Sequence, residues 1–194
     1  FAHFLEHMLF KDASAKETGK ASSGQTALQI ESLGGDINAY TSFDQTVYHF
    51  TSADTHWEKI LDIFGGMTEP QRFLKLDFER EREVILEELR KNEDSPSRQM
   101  FQTLFEKTFG KHPYGRPVIG YVKTLKAAKL AALEAFYKRN YCPSRMGIIL
   151  VGPLSDEKRI ARIMKTLEKH WSKHKGKPAP AAKPVTFRPG TKMQ

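Results

Sequence analysis

The sequence predicts an α+β domain in which an antiparallel sheet has helices packed on one face. Two observations indicate this class. Several segments carry apolar residues at helical spacing, and two neighbouring segments are rich in β-branched and aromatic residues. The predicted strands come as a pair and do not alternate with the helices, an order typical of an α+β layer.

The first part of the chain predicts three helices and the two strands. Helical spacing covers the opening segment and a second segment, which begins at a capping box of Ser22 and Gln25 and stops at Gly34-Gly35. Asp54 is a predicted N-cap for the third helix, which Gly65-Gly66 should end. The predicted bounds are Phe1–Phe10 for the first helix, with strands at Asp36–Phe43 and Thr46–Ser52.

The second part predicts four more helices and one short strand. The first of these helices is strongly charged, the second begins at Ser95-Pro96, and the last is amphipathic. The predicted ranges are Asp77–Asn92, Ser95–Phe105, Thr124–Lys138 and Ser155–His170 for helices, and Met146–Val151 for the strand.

The length of 194 residues fits one well-buried domain, for which we expect the range 1–174. Residues 175–194 are rich in Pro and Lys and predict an extended linker that leads to a following domain. A helix with functional residues begins at the first position, so we expect one or more preceding strands to be missing. The single cysteine, Cys142, excludes an internal disulfide and a zinc site built on several thiolates.

The net charge of +8 does not indicate a nucleic-acid-binding protein. Residues 155–194 contain eleven Lys and Arg against three acidic residues, and residues 1–154 balance at twenty of each. This basic tail has no interleaved aromatic residues for base stacking, so a solvated helix face and linker explain its charge. No apolar run approaches the eighteen or so residues of a membrane span.

The segment His3-Phe4-Leu5-Glu6-His7 carries the clearest chemistry. Residues i, i+3 and i+4 share one face of a helix, so the two imidazoles and the carboxylate project together. Two histidines one turn apart can bind one zinc ion, and the carboxylate then lies beside the open position of the metal, where it can act as general base.

A catalytic zinc site needs a third protein ligand, and the charged helix offers two candidates. Glu81 and Glu88 lie two turns apart on one face of this helix. Val84, Ile85 and Leu89 flank that face, so the face should point inwards. Glu79, Glu83 and Glu87 alternate with arginines, a pattern typical of an exposed ion-pair face. Periodicity alone does not choose between Glu81 and Glu88.

Several separate motifs resemble the inverzincin peptidases, the family that includes insulinase, pitrilysin and the mitochondrial processing peptidase β subunit. The similarity reaches to about Gly152 and is closest to the bacterial processing-peptidase-like branch. The motifs are residues 3–10, 35–42 and 81–88, together with His112-Pro113-Tyr114, residues 117–120 and Asn140-Tyr141.

The resemblance implies that His3, His7 and Glu88 bind Zn²⁺, that Glu6 is the general base and that Glu81 orients the site. It also implies that the strand Asn38-Ala39-Tyr40-Thr41 binds a peptide or unfolded polypeptide substrate as an added strand. Family members enclose the substrate between two halves, so we expect a second half on the same chain or on a partner subunit. This chain alone should then hydrolyse peptides poorly.

Three alternatives remain beside the zinc metalloendopeptidase. The chain could be a catalytically inactive scaffold half of the same family, although all residues of the HxxEH motif are present. It could resemble S-ribosylhomocysteine lyase, which uses a cysteine as third ligand, or be a nucleic-acid-binding module that uses the basic tail. The sequence does not fix a compartment; the bacterial resemblance favours a bacterial cytoplasm or periplasm over a mitochondrial matrix.

Overall fold

The computed structural model of the chain describes residues 1–11, 24–69 and 72–172. The predicted capping residue Ser22 and the predicted linker 175–194 lie outside these ranges. The described helices are α1 (Ala2–Leu9), α2 (Gln25–Ser32), α3 (Trp57–Thr68), α4 (Lys75–Glu93), α5 (Pro96–Phe109), α6 (Val122–Lys126), α7 (Leu130–Asn140) and α8 (Glu157–Trp171). The strands are β1 (Asp36–Thr41) and β2 (Thr46–Thr51), and short 3₁₀ turns lie at Asp54–His56, Pro113–Gly115 and Pro143–Arg145.

The two strands form an antiparallel hairpin with helices against one face, which confirms the α+β class. Their register pairs Asp36 with Thr51 and Thr41 with Thr46. Burial alternates along β1, as expected for a strand with one covered face. Ile37 is buried on the inner face, whereas Asn38 and Tyr40 lie on the exposed face.

The main core fixes helix α1 against helix α4. Leu5, Met8 and Leu9 of α1 have no exposed surface and pack in one cluster with Ile85 of α4, which is equally buried. Phe4 stacks on Phe78, with ring centroids 4.7 Å apart and planes nearly parallel. Because the apolar face of α1 is packed against α4, the position of the opposite, polar face of α1 relative to α4 is also fixed.

A second core lies between α2, β1 and α3, around Ile30, Ile37 and Ile60. Tyr48 on the inner face of β2 packs against both cores and joins them. Helix α2 ends as predicted, because Gly34 adopts a left-handed conformation (φ +73°) that favours glycine.

Helix α8 packs on α3 through polar contacts at its C-terminal end. The ring of His170 is buried between two carboxylates: Nδ1 lies 2.6 Å from Glu69 Oε1, and Nε2 lies 2.8 Å from Asp62 Oδ1. Trp171 Nε1 donates to Thr68 Oγ1 at 3.1 Å. The predicted amphipathic helix is thus confirmed, and much of its charge remains at the surface.

The prediction that Gly65-Gly66 ends a helix is wrong, because α3 continues to Thr68. A Cβ atom on Gly65 would lie 2.3 Å from Cδ2 of His170, whereas one on Gly66 would meet nothing within 4 Å. Gly65 therefore permits the close approach of α8, and it does not terminate α3. Asp54 does not cap this helix with its side chain; its carboxylate pairs with Arg159.

Two further predicted elements differ from the structure. The predicted helix Thr124–Lys138 is divided into α6 and α7, and the carbonyl of Ala128 between them accepts a hydrogen bond from Arg82 Nη2 at 2.6 Å. The predicted strand Met146–Val151 has no strand partner among the described residues. Its residues Ile149 and Val151 are 90% and 96% exposed.

Candidate functional site

Helix α1 presents three functional side chains on the side opposite its buried face. Phe4, Leu5, Met8 and Leu9 face the core, which leaves His3, Glu6 and His7 partly buried on the other side. Helix α4 packs against α1 and carries Glu81 and Glu88 two turns apart, which brings both carboxylates to the histidines. Glu81 is buried and Glu88 is partly buried, so their face of α4 points inwards as predicted; of the flanking residues, Ile85 and Leu89 are buried and Val84 is 49% exposed.

His3, His7 and Glu88 offer ligand atoms that all lie within 4.8 Å of one another. Glu88 Oε2 lies 3.4 Å from His3 Nε2 and 3.6 Å from His7 Nε2. The two imidazole rings are 4.9 Å apart and meet edge to face. The structure thus brings together the three residues that the resemblance implies as ligands.

Glu81 contacts the other nitrogen of His7. Its Oε2 lies 3.2 Å from His7 Nδ1, and its Oε1 lies 2.7 Å from Lys11 Nζ. A carboxylate on Nδ1 fixes the ring orientation and leaves Nε2 facing Glu88, the arrangement that metal-binding histidines commonly have. Lys11 was not among the predicted site residues, although it follows His7 by four positions and so lies on the same side of the chain as it leaves α1.

The electrostatics of the metal-free cluster favour a proton on His7. Burial opposes the charged form, but the hydrogen bond to Glu81 and the nearby carboxylate of Glu88 outweigh it and raise the pKa of His7 to about 9. Burial lowers the pKa of His3 below its ordinary value, so this ring favours the neutral form. The contact with His7 lowers the pKa of Glu88. Burial opposes ionisation of Glu81, but its bonds to His7 and Lys11 lower its pKa nonetheless.

The donor atoms fit a zinc ion. Two ligand atoms at 2.0–2.1 Å from a tetrahedral ion are separated by about 3.3 Å. The distances of 3.4 Å and 3.6 Å from Glu88 Oε2 to the two histidine nitrogens are close to that value. Two imidazoles and one carboxylate are also a ligand set of catalytic zinc sites that keep one position open.

Glu6 borders an open cavity of about 220 Å³ that is also lined by His7, Phe10, Lys11 and Glu81. The hydroxyl of Thr41 donates a hydrogen bond to Glu6 Oε2. Thr41 in turn lies opposite Thr46, with the two hydroxyl oxygens 3.1 Å apart. The sequence offered no signal for Thr46.

The predicted substrate strand reaches the site only at its C-terminal end. Thr41 contacts Glu6, whereas Asn38 and Tyr40 are on the exposed face of the hairpin. The side-chain oxygen of Asn38 accepts from the backbone N–H of Ala39 at 2.8 Å. Among the described residues, β1 pairs only with β2, so its other edge has no strand partner there.

Two histidines and a carboxylate in this arrangement define a candidate zinc centre, and sequence comparison gives the family. The model of the insulinase family, peptidase family M16, matches residues 1–121. The chain belongs to this family of peptidases.

Similar proteins include bacterial and mitochondrial peptidases. An uncharacterized zinc protease of Mycobacterium leprae is 33% identical over 162 residues, which cover 84% of this chain and 35% of that protein. A probable mitochondrial-processing peptidase subunit β of Arabidopsis thaliana is 30% identical over 168 residues, which cover 87% of this chain and 31% of the plant protein. The chain therefore spans about a third of the length of these relatives.

Solved structures with the same fold also belong to longer peptidases. The periplasmic protease PqqL of Escherichia coli is 28% identical with a TM-score of 0.78, over 95% of this chain and 20% of that chain. A domain of Pseudomonas fluorescens described as an inactive peptidase M16 domain is 25% identical with a TM-score of 0.76, over 92% of this chain and 42% of that one. No helix among residues 1–11, 24–69 and 72–172 is long and apolar enough to cross a membrane.

Proposed function

We propose that this chain is the metal-binding half of a zinc metalloendopeptidase. In this proposal His3, His7 and Glu88 bind the ion, and Glu81 orients His7. The observation that carries it is the cluster of three ligand atoms within 4.8 Å at the packed interface of α1 and α4. The names of relatives as zinc proteases support zinc as the metal.

Glu6 is the general base in this proposal. It follows His3 by three positions and precedes His7 by one, so it lies on the ligand side of α1 and lines the open cavity. When bound, zinc supplies Lewis acidity, which makes water a nucleophile near neutral pH and polarises a carbonyl group. The carboxylate of Glu6 takes a proton from the attacking water and passes it to the leaving amine. Its Oε2 accepts from Thr41, so Oε1 is the oxygen left for this transfer.

The substrate is proposed to be a peptide or an unfolded polypeptide. The edge of β1 that has no strand partner among the described residues offers main-chain groups for an added strand, which gives affinity with little dependence on sequence. The inner residue Thr41 at the end of this edge contacts Glu6, so a peptide along Asn38–Thr41 would pass beside the general base.

A second family half, on the same polypeptide or on a partner subunit, completes the enzyme in this proposal. The length of the chain supports this proposal, because the chain spans only about a third of the length of the relatives named above. We expect the chain by itself to bind zinc and to hydrolyse peptides poorly. A bacterial cytoplasm or periplasm is the proposed location, in line with the bacterial relatives and the periplasmic E. coli structure.

Metal analysis tests the site first. The parent protein purified without chelator should contain zinc near one equivalent, and Glu88→Gln and His3→Ala should lose it. Glu87→Gln is the matched control, because Glu87 is adjacent on α4 but exposed and paired with Arg90. This variant should retain zinc. If the parent binds little zinc even after reconstitution, the inactive scaffold becomes the preferred function.

Peptide hydrolysis tests the activity. The zinc-loaded protein assembled with its second half should hydrolyse an unstructured peptide, and Glu6→Gln should abolish the activity while zinc stays bound. Clear hydrolysis by this chain alone, lost in Glu6→Gln, would refute the need for a second half.

A further inference from the structure

The carboxylate of Glu6 is held from outside its own helix. The contact comes from Thr41, the last residue of β1, whose hydroxyl bonds to Glu6 Oε2. Thr41 lies on the inner face of the hairpin, and the register places Thr46 directly opposite. The general base of the proposed reaction is therefore fixed by the sheet, whereas the metal-binding histidines are fixed by the packing of α1.

The contact continues inwards through three more hydroxyl groups. Thr46 Oγ1 lies 3.1 Å from Thr41 Oγ1, and the side chain of Thr46 also interacts with that of Tyr141. The hydroxyl oxygen of Tyr141 lies 3.0 Å from that of Tyr48. Tyr48 packs against both cores and Tyr141 against the main one, so the inner end of the chain of hydroxyls is anchored in the interior.

The number of protons fixes the direction of every bond in this chain. Each hydroxyl has one proton to donate, and an ionised carboxylate can only accept. Because Thr41 donates to Glu6, it must accept from Thr46. Thr46 must then accept from Tyr141, and Tyr141 from Tyr48. Burial raises the pKa of both tyrosines, so the two phenols keep their protons.

We propose that Thr41 is a positioning residue for Glu6, and that Thr46, Tyr141 and Tyr48 hold its hydroxyl in the donating orientation. One carboxylate oxygen is occupied by Thr41, and the other is directed to the reacting groups. This inference rests on the proposed role of Glu6 as general base. It gives Thr41 a different role from the substrate contact that the strand motif implies.

Kinetics of the zinc-loaded enzyme with both halves test the inference. Thr41→Val should lower kcat about 10- to 100-fold, the loss expected for one hydrogen bond to a charged group, with KM within about twofold. Thr41→Ser retains the hydroxyl and should restore kcat. Tyr141→Phe should lower kcat about two- to tenfold, since Thr46 then loses its donor. Zinc content should equal that of the parent in all three variants.

A spectroscopic measurement on this chain alone is independent of activity. The hydroxyl proton of Thr41, shielded in its bond to Glu6, should give an NMR resonance that correlates with the Thr41 side chain. That resonance should be absent in Thr41→Val and should exchange faster in Tyr141→Phe. Thr51→Val, at the exposed end of β2, is the matched control and should leave it unchanged.

The outcomes separate this inference from the proposed function. If Glu6→Gln abolishes hydrolysis but Thr41→Val has the kcat and KM of the parent, the positioning role is refuted and the peptidase stands. A raised KM with unchanged kcat would also refute it, in favour of a substrate contact. If the zinc-loaded parent itself shows no Glu6-dependent hydrolysis, the proposed function fails, and the NMR resonance alone reports whether Thr41 holds Glu6.

Discussion

In the metal-free protein, the proton on His7 should make stability fall as the pH rises above neutrality. The pKa of His7 is about 9 in the folded chain against an ordinary 6.5, because Glu81 and Glu88 favour the charged ring. The stabilisation is therefore fully present below pH 6.5 and is lost between pH 6.5 and 9. The difference between the two pKa values corresponds to about 3 kcal/mol of unfolding free energy.

Urea unfolding of the chelator-treated protein at pH 6.0 and pH 9.5 measures this effect. The parent should lose about 3 kcal/mol between the two conditions, and His7→Gln should lose little, since it has no proton to release there. His56→Gln removes an exposed histidine from a 3₁₀ turn and should behave like the parent. In the zinc-loaded protein the trend should disappear or reverse, because zinc needs a neutral imidazole and competes with the proton.

The result that would refute this reasoning is an equal loss of stability in the parent and in His7→Gln. The decline would then come from other groups, and the ion pairs of His7 with Glu81 and Glu88 would contribute nothing to the metal-free fold.

Two substitutions in packed regions have sharp expected outcomes, each measured by urea unfolding. Gly65→Ala should destabilise by about 1–3 kcal/mol, since the new Cβ would collide with His170, whereas Gly66→Ala in the same helix should be neutral or stabilising by up to about 1 kcal/mol. Equal changes in stability in Gly65→Ala and Gly66→Ala would contradict the close approach of α8 to Gly65. Ile85→Ala should cost about 2–5 kcal/mol and weaken zinc binding, because Ile85 packs α4 against α1. The exposed neighbour change Val84→Ala should alter stability by less than about 0.5 kcal/mol and leave zinc binding intact.

The local part of the site could be predicted from the sequence because it depends on helical spacing alone. His3, Glu6 and His7 share one face of α1 wherever that helix lies, and Glu81 and Glu88 share a face of α4 for the same reason. The choice of Glu88 over Glu81 as the proposed ligand did not follow from spacing. Both carboxylates contact His7, one at each ring nitrogen, and that distinction exists only once the two helices pack together.

The contacts between distant segments were not predictable in this way. Thr41 reaches Glu6 across 35 positions of sequence, and the sequence indicates only that Thr41 belongs to a strand. Gly65 resembles a helix terminator because glycine is common after helices, yet here a neighbouring helix requires its missing side chain. In both cases the deciding partner comes from another element.

The predicted strand Met146–Val151 shows a different limit of sequence patterns. Its apolar composition predicts a strand, but a strand forms only when a second one supplies hydrogen-bond partners. The described residues supply none at that position. The fold class was nevertheless predictable, because the hairpin of β1 and β2 is local and its partners are close in sequence.

The segment around Ile149 and Val151, which no strand pairs with in the part of the chain that the structure describes, has a consequence for the colloidal behaviour of this polypeptide. Exposed apolar side chains beside main-chain groups that have no strand partner among the described residues form a template on which another molecule can add a strand. Self-association of the isolated chain should therefore rise with concentration and begin at this segment. Natural sheets protect such edges with charged residues, above all lysine, and Ile149→Lys should therefore keep the purified chain monodisperse.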